Sequence, residues 1–323
     1  MIDAYKRKIN YLRLSVTDRC NLRCRYCMPA TGVVPKQRQE ILSYEELYRI
    51  AKISVSLGIE KIRVTGGEPL VRKGIIDFLA RLSGLPGLRQ LVMTTNGQIL
   101  EEMAEDLRTA GVKRVNVSLD SLNADVFRKI TRGGELSRTL AGIAAAHQSG
   151  MQVKLNVVVM RGVNDMELYD FVAMALDQSL AVRFIEYMPA VEDENWRRYV
   201  VPGQEIVERI SARYPLQEAP RQRLSGPSRD YRIDGATGTV GVITPVYDHF
   251  CNDCNRIRVT AAGQVKTCLF SNCGFDLKPY LRFSDENALA EVLERLVKNK
   301  PEHFHLVNEQ PSKEDFAMSS IGG

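Results

Sequence analysis

Between about residues 11 and 215 the chain switches repeatedly between two hydrophobic periods. Short runs rich in β-branched residues, with polar and apolar positions interleaved, read as strands. They are YLRLSV at 11–16, KIRVT at 61–65, LVMTT at 91–95, VNVSL at 115–119, VKLNVVVM at 153–160 and VRFIEY at 182–187. The stretches between them place apolar residues three and four apart and read as helices. Ser43 and Glu46 predict a capping box, in which two side chains reciprocally satisfy free amides of the first turn. Gly58, Gly111 and Gly150 predict helix ends, because glycine accepts the left-handed conformation beyond the last turn.

Six strand–helix units with right-handed crossovers imply a parallel sheet. An open doubly wound sheet and an incomplete (β/α)6 TIM-like barrel both satisfy that pattern. The barrel is the better expectation, because distinctive residues follow nearly every strand: cysteines after the first, Gly66-Gly67-Glu68-Pro69 after the second, Thr94-Thr95-Asn96-Gly97 at the third, Ser118 and Asp120 at the fourth, Glu186 and Met188 at the last. A barrel gathers all its strand ends around one mouth, whereas an open sheet concentrates its site at one switch point. After residue 215 the alternation fades into connections such as Leu224-Ser-Gly-Pro-Ser-Arg229. The expected organisation is a barrel over 1–215 and a smaller C-terminal cap over 216–323.

Composition narrows the chemistry. The chain has 323 residues, 44% hydrophobic and 26% charged, with a net charge of +5. No run approaches the roughly 18 apolar residues of a membrane span, and the first residues lack the apolar core of a signal peptide. A cytoplasmic protein without a membrane partner is expected. The seven cysteines fall into two groups, Cys20, Cys24 and Cys27, then Cys251, Cys254, Cys268 and Cys273. An odd number in an unexported chain argues against a disulfide framework and for metal or redox chemistry.

Cys20-x3-Cys24-x2-Cys27 follows the first strand directly. Thiolates so spaced in a loop can hold three corners of a [4Fe–4S] cluster, which ordinarily takes four cysteines, and leave one iron open to a small molecule. S-adenosylmethionine (SAM) can chelate such an iron through its amino and carboxylate groups. A structural zinc normally needs four protein ligands, and nothing near Cys27 supplies the fourth. For Cys251-x2-Cys254-x13-Cys268 the spacing leaves zinc and an iron–sulfur cluster both open, since Cys273 follows closely. Arg256 and Arg258 alternate after that pair, so an extended segment points both the same way. They would make an anion-binding pocket beside the cysteines.

The first cysteine loop and the Gly66–Pro69 turn resemble the signature of the radical SAM superfamily. Added to Cys251-x2-Cys254-x13-Cys268, the Arg256-x-Arg258 pair and the terminal Met318-Ser-Ser-Ile-Gly-Gly323, they resemble the GTP 3′,8-cyclase family (molybdenum cofactor biosynthesis protein A) from end to end. That resemblance implies two [4Fe–4S] clusters on Cys20, Cys24, Cys27 and on Cys251, Cys254, Cys268, with Cys273 a bystander. It implies SAM contacts from Tyr26, Gly67, Ser118 and Met188, and GTP contacts from Arg13, Arg63, Thr94, Lys154, Arg256 and Arg258. Catalysis would involve Arg256 and the tail glycines Gly322 and Gly323. The implied reaction joins C3′ of GTP to C8, giving (8S)-3′,8-cyclo-7,8-dihydroguanosine 5′-triphosphate. An external electron donor and a downstream cyclic pyranopterin monophosphate synthase would be its partners, the enzyme acting as a monomer or homodimer.

Two rival readings make different demands. A radical SAM peptide maturase with an auxiliary cluster usually carries a longer cysteine-rich C-terminal domain. A zinc-containing nucleic-acid binder would stack bases on aromatics; only Phe250 and Phe270 flank the second group, and aromatics are 7% of the chain. No nucleic-acid partner is expected.

Overall fold

The computed structural model describes residues 1–188, 195–271, 274–282, 285–303 and 318. Six strands form where the alternating runs predict them: β1 (Tyr11–Ser15), β2 (Lys61–Thr65), β3 (Gln90–Thr95), β4 (Arg114–Ser118), β5 (Gln152–Val159) and β6 (Ala181–Glu186). They pair in parallel and in chain order. No reversal of order occurs, so there is no switch point of the doubly wound kind. β1 and β6 are not neighbours, and the fold is an incomplete (β/α)6 barrel.

Helices α1 (Tyr44–Ser56), α2 (Ile75–Ser83), α3 (Leu100–Thr109), α4 (Ala124–Thr131), α5 (Leu136–Gln148) and α6 (Leu168–Asp177) join these strands. The Ser43 hydroxyl accepts from the Glu46 N–H at 3.2 Å, and the Glu46 carboxylate accepts from the Ser43 N–H at 2.7 Å. Such a cap stabilises a helix by about 1 kcal/mol. Gly58, Gly111 and Gly150 follow α1, α3 and α5 with φ of 99°, 91° and 80°, which side chains rarely tolerate.

The rest of the chain comprises α7 (Gly203–Ser211), β7 (Gln217–Glu218), β8 (Arg229–Arg232), β9 (Thr239–Ile243), β10 (Arg256–Val259), β11 (Gln264–Lys266), β12 (Phe275–Asp276), α8 (Lys278–Arg282) and α9 (Glu286–Lys298). Its strands continue the barrel sheet from both edges. β9 adds to β6 and β10 to β1, each in parallel, while β8–β7 and β11–β12 extend outward antiparallel. The second cysteine group thereby arrives next to the first strand. No helix among the described residues is long and apolar enough to cross a membrane.

Alternation along the strands separates core from site. Leu12, Leu14, Ile62, Val64, Leu91, Met93, Val115, Val117, Leu155 and Phe184 face outward and are buried in the core with helix residues such as Ile50, Phe78, Leu107 and Phe171. Each fully buried side chain of this size contributes roughly 1.5–3 kcal/mol. The alternate positions point into the barrel, and many are cationic or polar: Arg13, Lys61, Arg63, Asn116, Lys154, Asn156, Arg183 and Arg258. Buried parallel strands ordinarily carry apolar residues on both faces.

Candidate active site

The register of the sheet explains the charge. Arg13 lies directly beside Arg63 on β2 and Arg258 on β10, so three guanidinium side chains occupy one row across three adjacent strands. Neighbouring strands are about 4.8 Å apart, and like charges placed side by side repel. Burial lowers the pKa of Arg13, and the Arg258 and Arg63 charges lower it further. Burial and Arg256 bring Arg258 down to about 9. Toward the N-terminal ends of the strands, burial and the surrounding arginines bring Lys61 to about 6 and Lys154 to about 7. Lys61 Nζ lies 4.5 Å from the Tyr11 ring centroid and donates to the Leu224 carbonyl at 2.9 Å. Arg183 pairs with Asp230 at 3.2 Å. Arg63 Nε, Thr94 Oγ1 and Arg183 Nε are buried without a hydrogen-bond partner among the described residues. Cations held so closely, with donors unsatisfied, suit a multiply charged anion.

Above this row a cavity opens at the C-terminal ends of the strands. Its wall includes Cys20, Cys24 and Cys27, Tyr26, Gly66 and Gly67, Thr94, Ser118, Met188, the Arg13, Arg63, Arg256 and Arg258 side chains, and Met318. Lys154 lies outside the wall, one inward-facing position below Asn156, which lines it. Cys251, Cys254 and Cys268 are also outside, although their neighbours Phe250 and Leu269 line it. Cys273, Gly322 and Gly323 lie outside the described residues.

The first cysteine loop is held from two sides. Arg23 and Arg25 donate their backbone N–H groups to the Thr131 and Ile130 carbonyls at the end of α4, at 3.1 and 2.9 Å. Arg132 then donates to the Met28 carbonyl at 3.0 Å. On the other side Gly67 and Glu68 donate to the Thr17 and Arg19 carbonyls, both at 2.8 Å. A Cβ on Gly67 would lie 2.3 Å from the Arg19 oxygen, and one on Gly66 2.7 Å from the Thr17 oxygen. Only glycine permits that approach. Met318 donates its N–H to the Cys27 carbonyl at 3.1 Å and so stands at the mouth.

Two buried carboxylates brace this end of the barrel. Glu68 accepts from the Thr95 hydroxyl and from the Asn96 and Leu70 N–H groups, at 2.8, 2.7 and 3.1 Å. Its burial outweighs those bonds and pushes its pKa up to about 7. Asp120 accepts from the Tyr26 hydroxyl and the Val158 N–H, both at 2.9 Å, and burial raises it to about 6. Asp120 therefore orients Tyr26. Glu186 likewise accepts backbone N–H groups, from Gly203, Val246 and Tyr247. Burial raises the Cys20 and Cys24 thiols, Cys24 well above the ordinary value, with Asp120 and the neighbouring thiols adding to it.

The second group has opposite electrostatics. Antiparallel pairing of β10 with β11 aligns Arg258 with Lys266; Cys254 precedes the first strand and Cys268 follows the second, and both thiols act on the Arg258 and Lys300 charges. The thirteen-residue spacing is thus a hairpin's path out and back. Burial alone would raise the Cys254 thiol, but the Arg256 and Lys300 charges and hydrogen bonds from Arg256 bring it down to about 6. The six described cysteines form no disulfide with one another. Each trio lies on a fold-anchored loop, with backbone or cationic groups supporting the thiolates, and so fits a cluster held by three cysteines.

Motif spacing passed over Asn116, Asn156 and Arg132, whereas Glu68, Asn96 and Asp120 stand in the strand-end motifs, and the structure adds the partners they hold. Asn156 carries a signal in the sequence, because Lys154 and Asn156 interrupt an aliphatic strand at alternate positions. Arg132 carries none; its role depends on where α4 ends.

The profile described as "Radical SAM superfamily" matches residues 14–175, and the one described as "Molybdenum Cofactor Synthesis C" matches 180–306. A GTP 3′,8-cyclase from Geobacter sulfurreducens is 59% identical over 324 residues, covering 100% of this chain and 99% of that protein. The chain belongs to the GTP 3′,8-cyclase family. Proteins of that name from Moorella thermoacetica and Alkaliphilus oremlandii are 46% and 45% identical, each aligned over 100% of both chains. Among solved structures, Streptococcus suis SuiB bound to S-adenosylmethionine covers 88% of this chain and 68% of its own, at a TM-score of 0.60 and 14% identity. SuiB bound to its precursor peptide SuiA gives 0.63 at 13% identity, covering 90% and 67%. At that identity the likeness extends to the fold alone, so it lends the peptide-maturase reading no support.

Proposed function

We infer that this protein converts GTP to (8S)-3′,8-cyclo-7,8-dihydroguanosine 5′-triphosphate in molybdenum cofactor biosynthesis, using SAM and two [4Fe–4S] clusters. Full-length relatives named GTP 3′,8-cyclase support this reading, as does the pathway named by the C-terminal match. The observation that carries it is the Arg258–Arg13–Arg63 row opening into the cavity that Cys20, Cys24 and Cys27 line. A polyanionic nucleotide and a radical source meet there.

On this reading Cys20, Cys24 and Cys27 hold the first cluster, and Cys251, Cys254 and Cys268 the second. A cluster held by that first trio would, with SAM bound, supply the radical chemistry that takes the C3′ hydrogen of GTP. Gly67 gives backbone access to SAM, Tyr26 flanks its adenine in the orientation Asp120 sets, and Ser118 and Met188 complete that side. Arg13, Arg63, Lys154 and Arg258 bind the nucleotide, and Thr94 donates its unsatisfied hydroxyl. These residues exclude water and hold C3′ against C8, which is the protein's share of such chemistry. Once C3′ joins C8, the guanine needs one electron and one proton, so the product is an isomer of GTP. Arg256, 4.9 Å from the Phe250 ring centroid, stabilises the added charge. The bond between Met318 and Cys27 supports a tail directed toward the mouth, and we assign Gly322 and Gly323 to organising the radical site.

We further propose that a cytoplasmic one-electron donor serves the reaction, that the enzyme is a monomer or homodimer, and that cyclic pyranopterin monophosphate synthase takes the product. Residue 215 divides the barrel from the C-terminal region in this scheme. The test is anaerobic incubation with SAM, dithionite and either GTP or ATP. GTP should be consumed and replaced by a chromatographically distinct isomer, with ATP unchanged. Cleavage of SAM that leaves GTP intact would overturn the substrate assignment.

A further inference from the structure

Beside the Cys251 turn the N-terminal segment meets the residues that follow α9. Asp3 opens a turn, accepting the Tyr5 and Arg7 N–H groups at 3.0 and 2.9 Å and the Arg7 Nε at 2.6 Å. The remaining Arg7 nitrogens are thereby aimed at three carbonyls: Cys251 at 2.8 Å, Glu302 at 2.8 Å and Pro301 at 2.7 Å. Arg7 thus staples the Cys251 turn to the segment that follows α9. In that segment Lys300 turns inward and is only 4% exposed. Its ammonium donates to the carbonyl of Thr267, the residue before Cys268. Burial lowers its pKa, the Cys254 and Cys268 thiols counter that, and Arg256 and Arg7 add to it.

A buried ammonium needs an anionic partner, since one carbonyl is weak compensation for lost water. Among the described residues Lys300 forms no salt bridge with a carboxylate, and the two thiols are the acidic groups acting on it. We propose that Lys300 is the buried counter-ion of the cluster held by Cys251, Cys254 and Cys268, and that its charge sets the potential at which this cluster accepts an electron. The proposal rests on the ligand assignment made above. Reduction adds one electron from an external donor and no proton, so the site becomes more negative by one charge. A fixed cation buried beside the residue that precedes Cys268 stabilises the reduced state more than the oxidised one and moves the potential upward. Lys300 is in this sense a positioning and tuning residue; nothing places it against substrate.

The test uses full-length, anaerobically reconstituted protein. Redox titration followed by electron paramagnetic resonance is run on the two-cluster enzyme, then in a Cys20→Ala/Cys24→Ala/Cys27→Ala background where only the second cluster remains. Lys300→Met keeps the volume and loses the charge, Lys300→Gln keeps a donor to Thr267 and loses the charge, and Lys300→Arg keeps both. The neutral variants should retain iron and shift the second midpoint to more negative potential, leaving the first cluster's midpoint and substrate-free SAM cleavage unchanged. Lys300→Arg should hold the second midpoint close to that of the unaltered protein. An unchanged midpoint in Lys300→Gln and Lys300→Met overturns the proposal. If both neutral variants lose the second cluster, Lys300→Arg decides: retention supports a charge requirement, and loss shows that only the shape of lysine mattered. Absence of iron at this site in the unaltered protein would instead contradict the ligand assignment.

Discussion

Gly67 shows how much of this site depends on single atoms. Its N–H reaches the Thr17 carbonyl while its missing Cβ leaves room for the Arg19 oxygen, 2.3 Å from where that carbon would be. Gly67→Ala should therefore displace the cysteine loop and reduce SAM cleavage about 100-fold, the usual cost of an ångström's misplacement. Gly226→Ala, where an added Cβ meets nothing within 4 Å, is the control and should leave cleavage unchanged. The arginine row supports a second expectation with an unusual sign. Arg63→Ala and Arg258→Ala should each cost GTP turnover roughly 1.5–3 kcal/mol in kcat/KM, the worth of a hydrogen bond to a charged group. Because each change also relieves repulsion within the row, the melting temperature of the ligand-free protein should hold or rise. A fall in melting temperature equal to a core truncation would show these arginines to be structural.

At the scale of elements, the strands and the α1 cap were legible because their signals are local: alternation, a Ser-x-x-Glu box, glycines with positive φ. The cysteine spacing was legible as a ligand set, yet its cause, the β10–β11 hairpin, was not, since pairing depends on a turn that periodicity does not encode. The inward strand face also predicts a pH response. In the free protein Lys61 and Lys154 sit near 6 and 7, far below the ordinary lysine value. At pH 8 both are largely neutral. A bound triphosphate favours their protonated forms and raises both values, so GTP binding should take up as many as about two protons. Affinity should then weaken as pH rises through the raised values. Calorimetry in buffers of different ionisation enthalpy measures this directly; a binding enthalpy independent of buffer would remove these lysines from the nucleotide site.

Across the whole molecule, the barrel could be read from sequence because its strands pair in chain order. The edges could not. β9 and β10 join opposite ends of the sheet, and nothing in residues 239–259 says which strand each will meet. The same limit hid Lys300, which approaches Cys254 and Cys268 from the end of α9 without a motif. Two trios of cysteines nevertheless make a joint prediction: roughly eight irons per chain, falling to about four in Cys20→Ala/Cys24→Ala/Cys27→Ala, with loss of SAM cleavage. Cleavage that survives in that variant would contradict the assignment of the first trio.

The central claim is that one cavity brings a radical source to the ribose of a GTP molecule held by the arginine row. Anaerobic turnover of GTP carrying deuterium at C3′ tests it most directly. Mass analysis should find the deuterium in 5′-deoxyadenosine and a GTP isomer that has lost it. Deuterium retained in the nucleotide product, with unlabelled 5′-deoxyadenosine, would contradict it.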